Sequence, residues 1–142
     1  MPRSPRNLFT VEQADAVLPL VQVIVADIVR LSAAVELRRP HLTAARSEWP
    51  ESGGVDLYGD ELRDAEVALE REMARLRECE EELASLGVSL TGATEGLVGF
   101  STEVDGRAAY WCWRLGEPEV GHWHFRDEEF ANRKSLATLA GK

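Results

Sequence analysis

Apolar residues recur at helical spacing from the start of the chain. Ala14, Leu18, Val21, Val25, Ile28, Leu31 and Val35 follow one another every three or four positions, which is the stripe of a long amphipathic helix. Val17, Leu20, Ile24 and Val29 add apolar surface around the rest of that helix. Thr10 stands where an N-cap is needed, and Gln13 is placed to complete a capping box. Pro19 removes a backbone donor inside the run and predicts a kink there. Pro40 forces the residue before it out of the helical region, so helix 1 is expected over 9–39. From 40 to 60 the pattern dissolves into an expected loop, with Trp49, Pro50, Gly53 and Gly54 as its clearest signals.

Periodicity resumes over 61–86. Leu62, Leu69, Leu76 and Leu83 repeat every seven residues, with Ala65, Cys79 and Leu86 in a companion row that Glu72 interrupts. Gly87 is the expected glycine just past a helix end. The heptad spacing suits antiparallel packing of helix 2 on helix 1, with Leu69 and Leu76 in the seam. The pattern then changes to period two. Leu97–Thr102 reads as a strand, Asp105-Gly106 as a two-residue hairpin turn, Arg107–Leu115 as a second strand, and Val120–Phe125 as a third. The fold expected is α+β: a long antiparallel helical hairpin covered by a small three-stranded antiparallel β-meander over 96–125. An irregular tail follows over 126–142, and the whole chain of 142 residues forms one domain.

Charge narrows the partners. Sixteen Lys and Arg stand against 25 Asp and Glu, a net charge of −9 that repels both nucleic acid and an anionic membrane. The basic N-terminal residues lack the apolar segment of a signal peptide. The apolar run Leu18–Ile28 is interrupted and too short to span a bilayer. Two cysteines make no disulfide framework, so the expected location is the cytoplasm. The surplus of apolar surface on the helices predicts a homodimer formed through them.

The chemistry-bearing residues crowd together late in the chain. Three of the four tryptophans, Cys112 and two of the three histidines lie between Trp111 and His124. Alternation along the strands sets Trp111, Trp113 and Trp123 on the face expected to pack on the helices. Cys112, His122 and His124 fall on faces that one register would unite. A thiolate and two imidazoles suit zinc or iron, with Glu117 or Glu128 as an oxygen ligand. The ordinary reading, which is favoured, makes Cys112 a small buried hydrophobe. Cys112 with a histidine also has the composition of a nucleophile and base, yet no phosphate loop, Cys-X-X-Cys pair or nucleophile elbow accompanies it.

The late motif resembles the bacterial family known as domain of unknown function 2203. The resemblance rests on Gly96-Leu97-Val98 with Phe100, Cys112-Trp113, Leu115-Gly116-Glu117-Pro118, Trp123-His124, and Phe130 with Arg133; the stretch from Phe9 to Pro19 is also similar. It implies no activity, substrate or cofactor. Gly99 stands where the family pattern has aspartate, Glu129 and Asn132 stand where it has glycines, and His122 lies outside the pattern. Cys112, Glu117, His124 and Arg133 are therefore the candidate ligand-binding residues, forming either a pocket or a packing network. The leading expectation is a non-enzymatic binding or assembly protein. The runner-up is a zinc or iron protein using Cys112, His124 and His122, with hydrolytic or redox chemistry.

Overall fold

The computed structural model describes residues 8–48 and 57–139. Helix α1 spans Val11–Glu48 and α2 spans Leu57–Ser85. Five strands follow: β1 Val88–Gly92, β2 Leu97–Val104, β3 Arg107–Arg114, β4 His122–Phe125 and β5 Lys134–Ser135. They form one antiparallel sheet in the order β1-β2-β3-β4-β5. The α+β class and the helical hairpin are as expected from sequence, but the sheet has five strands where three were expected.

Both ends of the helical stripe follow from local chemistry. The Gln13 amide nitrogen donates to Thr10 Oγ1 at 3.1 Å, and the Thr10 amide donates to Gln13 Oε1 at 2.9 Å, a reciprocal capping box. All seven residues of the predicted α1 stripe are buried, and Ile24 joins them. The helix nevertheless runs unbroken through both prolines and ends nine residues beyond Arg39, at Glu48. Burial on either side offsets the lost backbone bonds: Leu18 and Val21 flank Pro19, and Leu42 follows Pro40. The expected 40–60 loop is thus helical over 41–48 and again from Leu57. The loop signals from Trp49 to Gly54 lie outside the described residues, as does the end of the tail from Ala140 onward.

Helix α2 buries Cys79 and Leu83, whereas Leu69 and Leu76 are only half-buried. The centre of the seam therefore lies nearer the sheet than the heptad row suggested. Glu72, which breaks the companion row, is used differently: Arg38 of α1 donates to both its carboxylate oxygens, at 2.9 and 3.0 Å. This hydrogen-bonded guanidinium holds the Glu72 carboxyl below its ordinary range, although burial opposes the shift.

Past α2 the chain turns on Gly87, whose φ of +83° matches the expected helix-terminating role. The Asp105-Gly106 turn has φ of +54° and +80°, the two positive values that a type I′ hairpin requires. Strand β1 escaped the sequence reading because it is short, only half-buried beyond Val88, and irregular in register between Leu90 and Gly92. β5 escaped because two residues carry no period at all. Part of the expected irregular tail is therefore the fifth strand, bracketed by two 3₁₀ turns.

One face of the sheet packs on the helices. Val98, Phe100, Trp111, Trp113 and Trp123 join the core formed with Val21, Val25 and Ile28 of α1. Burying three indoles there supplies several kcal/mol each by the area rule of about 25 cal/mol per Å². Their polar edges are also satisfied. Trp111 Nε1 donates to the Phe9 carbonyl at 2.7 Å, Trp113 Nε1 to the Glu117 carbonyl at 3.0 Å, and Trp123 Nε1 to Thr138 Oγ1 at 2.9 Å. The connection before β4 is tied to α1 as well, where the Val120 amide donates to Asp15 Oδ1 at 3.0 Å.

Candidate functional site

The other face of the sheet carries the residues singled out by chemistry. Strand pairing sets Gly99, Cys112 and His122 in one row, and Ser101, Tyr110 and His124 in the next. Cys112 therefore faces His122 across the β3–β4 ladder, and the register does bring thiol and imidazole to one face. His124 lies one row along, buried, with its ring 5.8 Å edge-on from Tyr110 and 6.4 Å from Phe130.

The C-terminal segment folds over this face. Phe130 lies in the first 3₁₀ turn, and the Arg133 guanidinium sits 4.3 Å over its ring. Arg133 Nη1 is 2.8 Å from Glu117 Oε2. Glu117 has a second task, since its Oε1 accepts from the Arg114 amide at 3.1 Å. Its own amide donates to the Arg114 carbonyl at 3.0 Å, closing the turn in which Gly116 adopts a φ of +105°. The Leu115-Gly116-Glu117-Pro118 motif is thus a turn stapled by its own carboxylate and anchored to the covering segment by Arg133.

Cys112 is fully buried beneath this cover. Burial pushes its thiol up to about 11; the nearby Arg133 cation opposes the shift and Glu117 adds to it. Such a thiol is protonated near neutral pH and is a poor nucleophile. His124 Nδ1 donates to the Phe125 carbonyl at 2.7 Å, which fixes the ring and occupies that nitrogen. His122 Nδ1 is buried and finds no hydrogen-bond partner among the described residues. Glu128 is engaged at the end of β4, accepting from the Phe125 amide at 3.0 Å and from Lys134 at 2.8 Å. Cys79, in the helical core, is also free and buried, and burial raises its thiol too.

The four ligand-binding candidates lie on one side of the sheet: Arg133 pairs with Glu117, both act electrostatically on Cys112, and His124 shares the Phe130 ring with Arg133. The metal set Cys112, His122 and His124 does not assemble. Among the described residues no group of three or more His, Cys, Asp or Glu is placed to hold a metal ion. The register sets His122 beside Cys112 and His124 on the diagonal, but His124 Nδ1 is taken by the Phe125 carbonyl and both proposed carboxylates are held by cations.

A family model described as an uncharacterised conserved protein, DUF2203, matches residues 7–136. The chain belongs to this family. No curated protein and no solved structure shows a significant match. The residues that carry the family resemblance mostly hold the sheet together. A Cβ at Gly96 would stand 2.7 Å from the Leu115 Cβ, and its φ of +74° also favours glycine. Phe100 and Trp113 fill the core, and Glu117, Phe130 and Arg133 lock the cover.

Gly99 is fixed by its neighbour on β3. The Tyr110 ring lies against it so closely that a Cβ would fall 2.6 Å from Cγ and Cδ1. Gly99→Ala should therefore destabilise the fold by about 1–3 kcal/mol, the usual cost of overpacking. Adding Tyr110→Ala should remove most of that penalty. Denaturant melts of the two single variants and the double variant check this, and additive losses would show that Tyr110 is not the obstacle.

Sequence reasoning missed two clefts on the part of the helical hairpin that extends past the sheet. One, of about 500 Å³, is lined by Ala34, Leu37, Arg38, His41, Leu42, Ala45, Gly59, Glu61, Leu62 and Ala65. The other, of about 440 Å³, lies beside Arg39, Leu42 and Glu66. The signal was hidden by the reading that ended helix 1 at Arg39, which left no arm to carry a cleft.

Proposed function

We propose that this chain is a cytosolic, non-enzymatic binding or assembly protein that works through its helical arm and self-associates there. The observation that carries this reading is a contrast between two surfaces. The cysteine face is covered, its thiol is held neutral, and its polar groups are mostly engaged with one another. The arm instead leaves a large apolar cleft open, with Leu37 on its rim 76% exposed. Apolar surface of that extent is characteristic of an interaction site.

Helix α1 also bears on membrane association. By length and composition it is apolar enough to cross a membrane, with a mean hydropathy of 1.8 over its most apolar window. Leu18, Val21, Val25 and Ile28 within it pack against the sheet and α2. That use of the helix supports the cytosolic reading.

Sedimentation equilibrium at micromolar concentration tests the proposal. The expected result is a species heavier than the 15.8 kDa chain. A clean monomer across the concentration range would overturn self-association.

A further inference from the structure

Residues 127–139 cover the cysteine face of the sheet, yet none of them is buried, while Cys112 and His124 beneath them are 0% and 5% exposed. The cover has few of the apolar anchors that hold the rest of the fold. Phe130, Leu136 and Leu139 are half-buried, and the two 3₁₀ turns that carry them contain no buried residue. Pairing with the sheet is equally thin: β5 meets β4 over two residue pairs, whereas β2 and β3 share eight. A segment with little buried apolar surface and half-exposed polar contacts opens at a lower free energy than the core it lies on.

The contacts that hold this cover down are largely polar. Arg133 Nη1 is 2.8 Å from Glu117 Oε2, with the two side chains 20% and 22% exposed. The Leu136 amide donates to the Gly121 carbonyl at 3.1 Å, and Trp123 Nε1 donates to Thr138 Oγ1 at 2.9 Å. Lys134 Nζ stands 4.8 Å over the Trp123 ring. The chain just before the cover is fastened to the sheet itself, because the Arg126 amide donates to the Ala108 carbonyl at 3.0 Å. The pivot therefore lies just past Arg126. Arg133 and Glu117 join two full charges, and the same guanidinium stacks on Phe130 and acts on the Cys112 thiol, so this pair is the clasp.

We infer that residues 127–139 form a strap that lifts off the sheet as a unit while the helices and β1–β4 stay folded, with Arg133–Glu117 as its clasp and Cys112 as the group it guards. Lifting bares Cys112, His122 and His124 on one side of the sheet. Burial is the main cause that keeps the closed thiol protonated, so an opened one returns toward ordinary reactivity. The cysteine face is thus inert when strapped and thiol-reactive when open. This device does not depend on the arm or on self-association.

Native-state thiol labelling tests the strap. The protein is incubated at pH 8 with a dipyridyl disulfide: the thiolate attacks one sulfur, forms a mixed disulfide and releases thiopyridone, which is read by absorbance. Peptide mapping assigns the labelled cysteine, and rates are followed in urea up to the foot of the unfolding transition. Cys112 should label slowly, at a rate nearly flat in low urea and about tenfold or more above what global unfolding allows, since strap opening exposes little surface. Cys79, in the helical core, should label only as global unfolding permits, with a steep urea dependence. Arg133→Ala and Glu117→Gln should each speed Cys112 relative to Cys79 by about tenfold, the worth of one charged hydrogen bond. Glu117→Gln keeps an oxygen for the Arg114 amide, so the turn stays stapled. Together the two changes should act no more than about threefold beyond Arg133→Ala alone, because they remove one contact. Circular dichroism confirms that each variant is folded. Cys112 labelling that tracks global unfolding with the slope of Cys79 would overturn the strap, as would loss of folding in both variants. Additive effects, or none, would overturn the clasp.

Discussion

Trp113→Ala should cost about 3–5 kcal/mol of folding stability, the range for deleting a buried indole. Trp113 is fully buried at the contact between β3 and the helices. Its indole fills space beside Val98 across the β2–β3 ladder, and its Nε1 donates to the Glu117 carbonyl. Truncation therefore creates a cavity and leaves that carbonyl without its partner in the turn. A loss of this size is comparable with the whole stability of a small domain, so a largely unfolded variant at 37 °C is the expected phenotype. Glu103→Ala is the control, because Glu103 is exposed on β2 and its removal should change stability by less than about 0.5 kcal/mol. Denaturant melts of the two variants decide the matter. A Trp113→Ala protein within 1 kcal/mol of the unaltered one would mean that the sheet does not rely on this face for its core.

Stability should also fall steeply between about pH 9 and pH 11 because of Cys112. The folded thiol ionises near 11 against an ordinary value of 9.0, with burial as the main cause. A group whose pKa is raised on folding keeps its proton longer in the folded state. The unfolded chain releases it first, so its contribution is intact below about pH 9 and is lost as pH climbs toward 11. Two units correspond to about 2–3 kcal/mol. The informative quantity is the difference between the unaltered protein and Cys112→Ala, because every other ionisation is common to both. That difference should narrow with rising pH; parallel curves would mean that the thiol is not held neutral. Native Cys112 should resist iodoacetamide at pH 8 with or without a chelator, and His124→Ala should not expose it. Chelator-dependent labelling, together with near-stoichiometric zinc or iron by elemental analysis, would instead establish the metal reading.

The two expectations separate what the late motif does from where it was noticed. Cys112, His124, Glu117 and Arg133 attract attention because thiols, imidazoles and ion pairs are the usual materials of active sites. The same groups also suit the task of closing the second face of a sheet with a short segment. A stacked guanidinium, a turn-stapling carboxylate and a small buried thiol achieve that closure here. A residue's chemical type shows what it is capable of, and its neighbours decide which capability is used.

Local chemistry determined much of this protein directly from its sequence. The capping box at Thr10 and Gln13, the buried stripe from Ala14 to Val35, the glycine after α2 and the Asp105-Gly106 turn depend on neighbours within a few positions. The inward face of the three tryptophans follows from alternation alone once the strands are placed. What lay beyond the sequence depends on distant partners. Helix α1 passes Pro40 because Leu42 and Arg38 find α2 on the other side of the hairpin. Strands β1 and β5 exist because β2 and β4 offer backbone groups to pair with, and two to five residues carry too little pattern to announce it. The register sets His122 beside Cys112, yet no metal group forms among the described residues, because His124 Nδ1 is taken by the Phe125 carbonyl and Glu117 and Glu128 by Arg133 and Lys134. No local preference encodes those ion pairs, because both cations come from the segment that folds back over the sheet after β4.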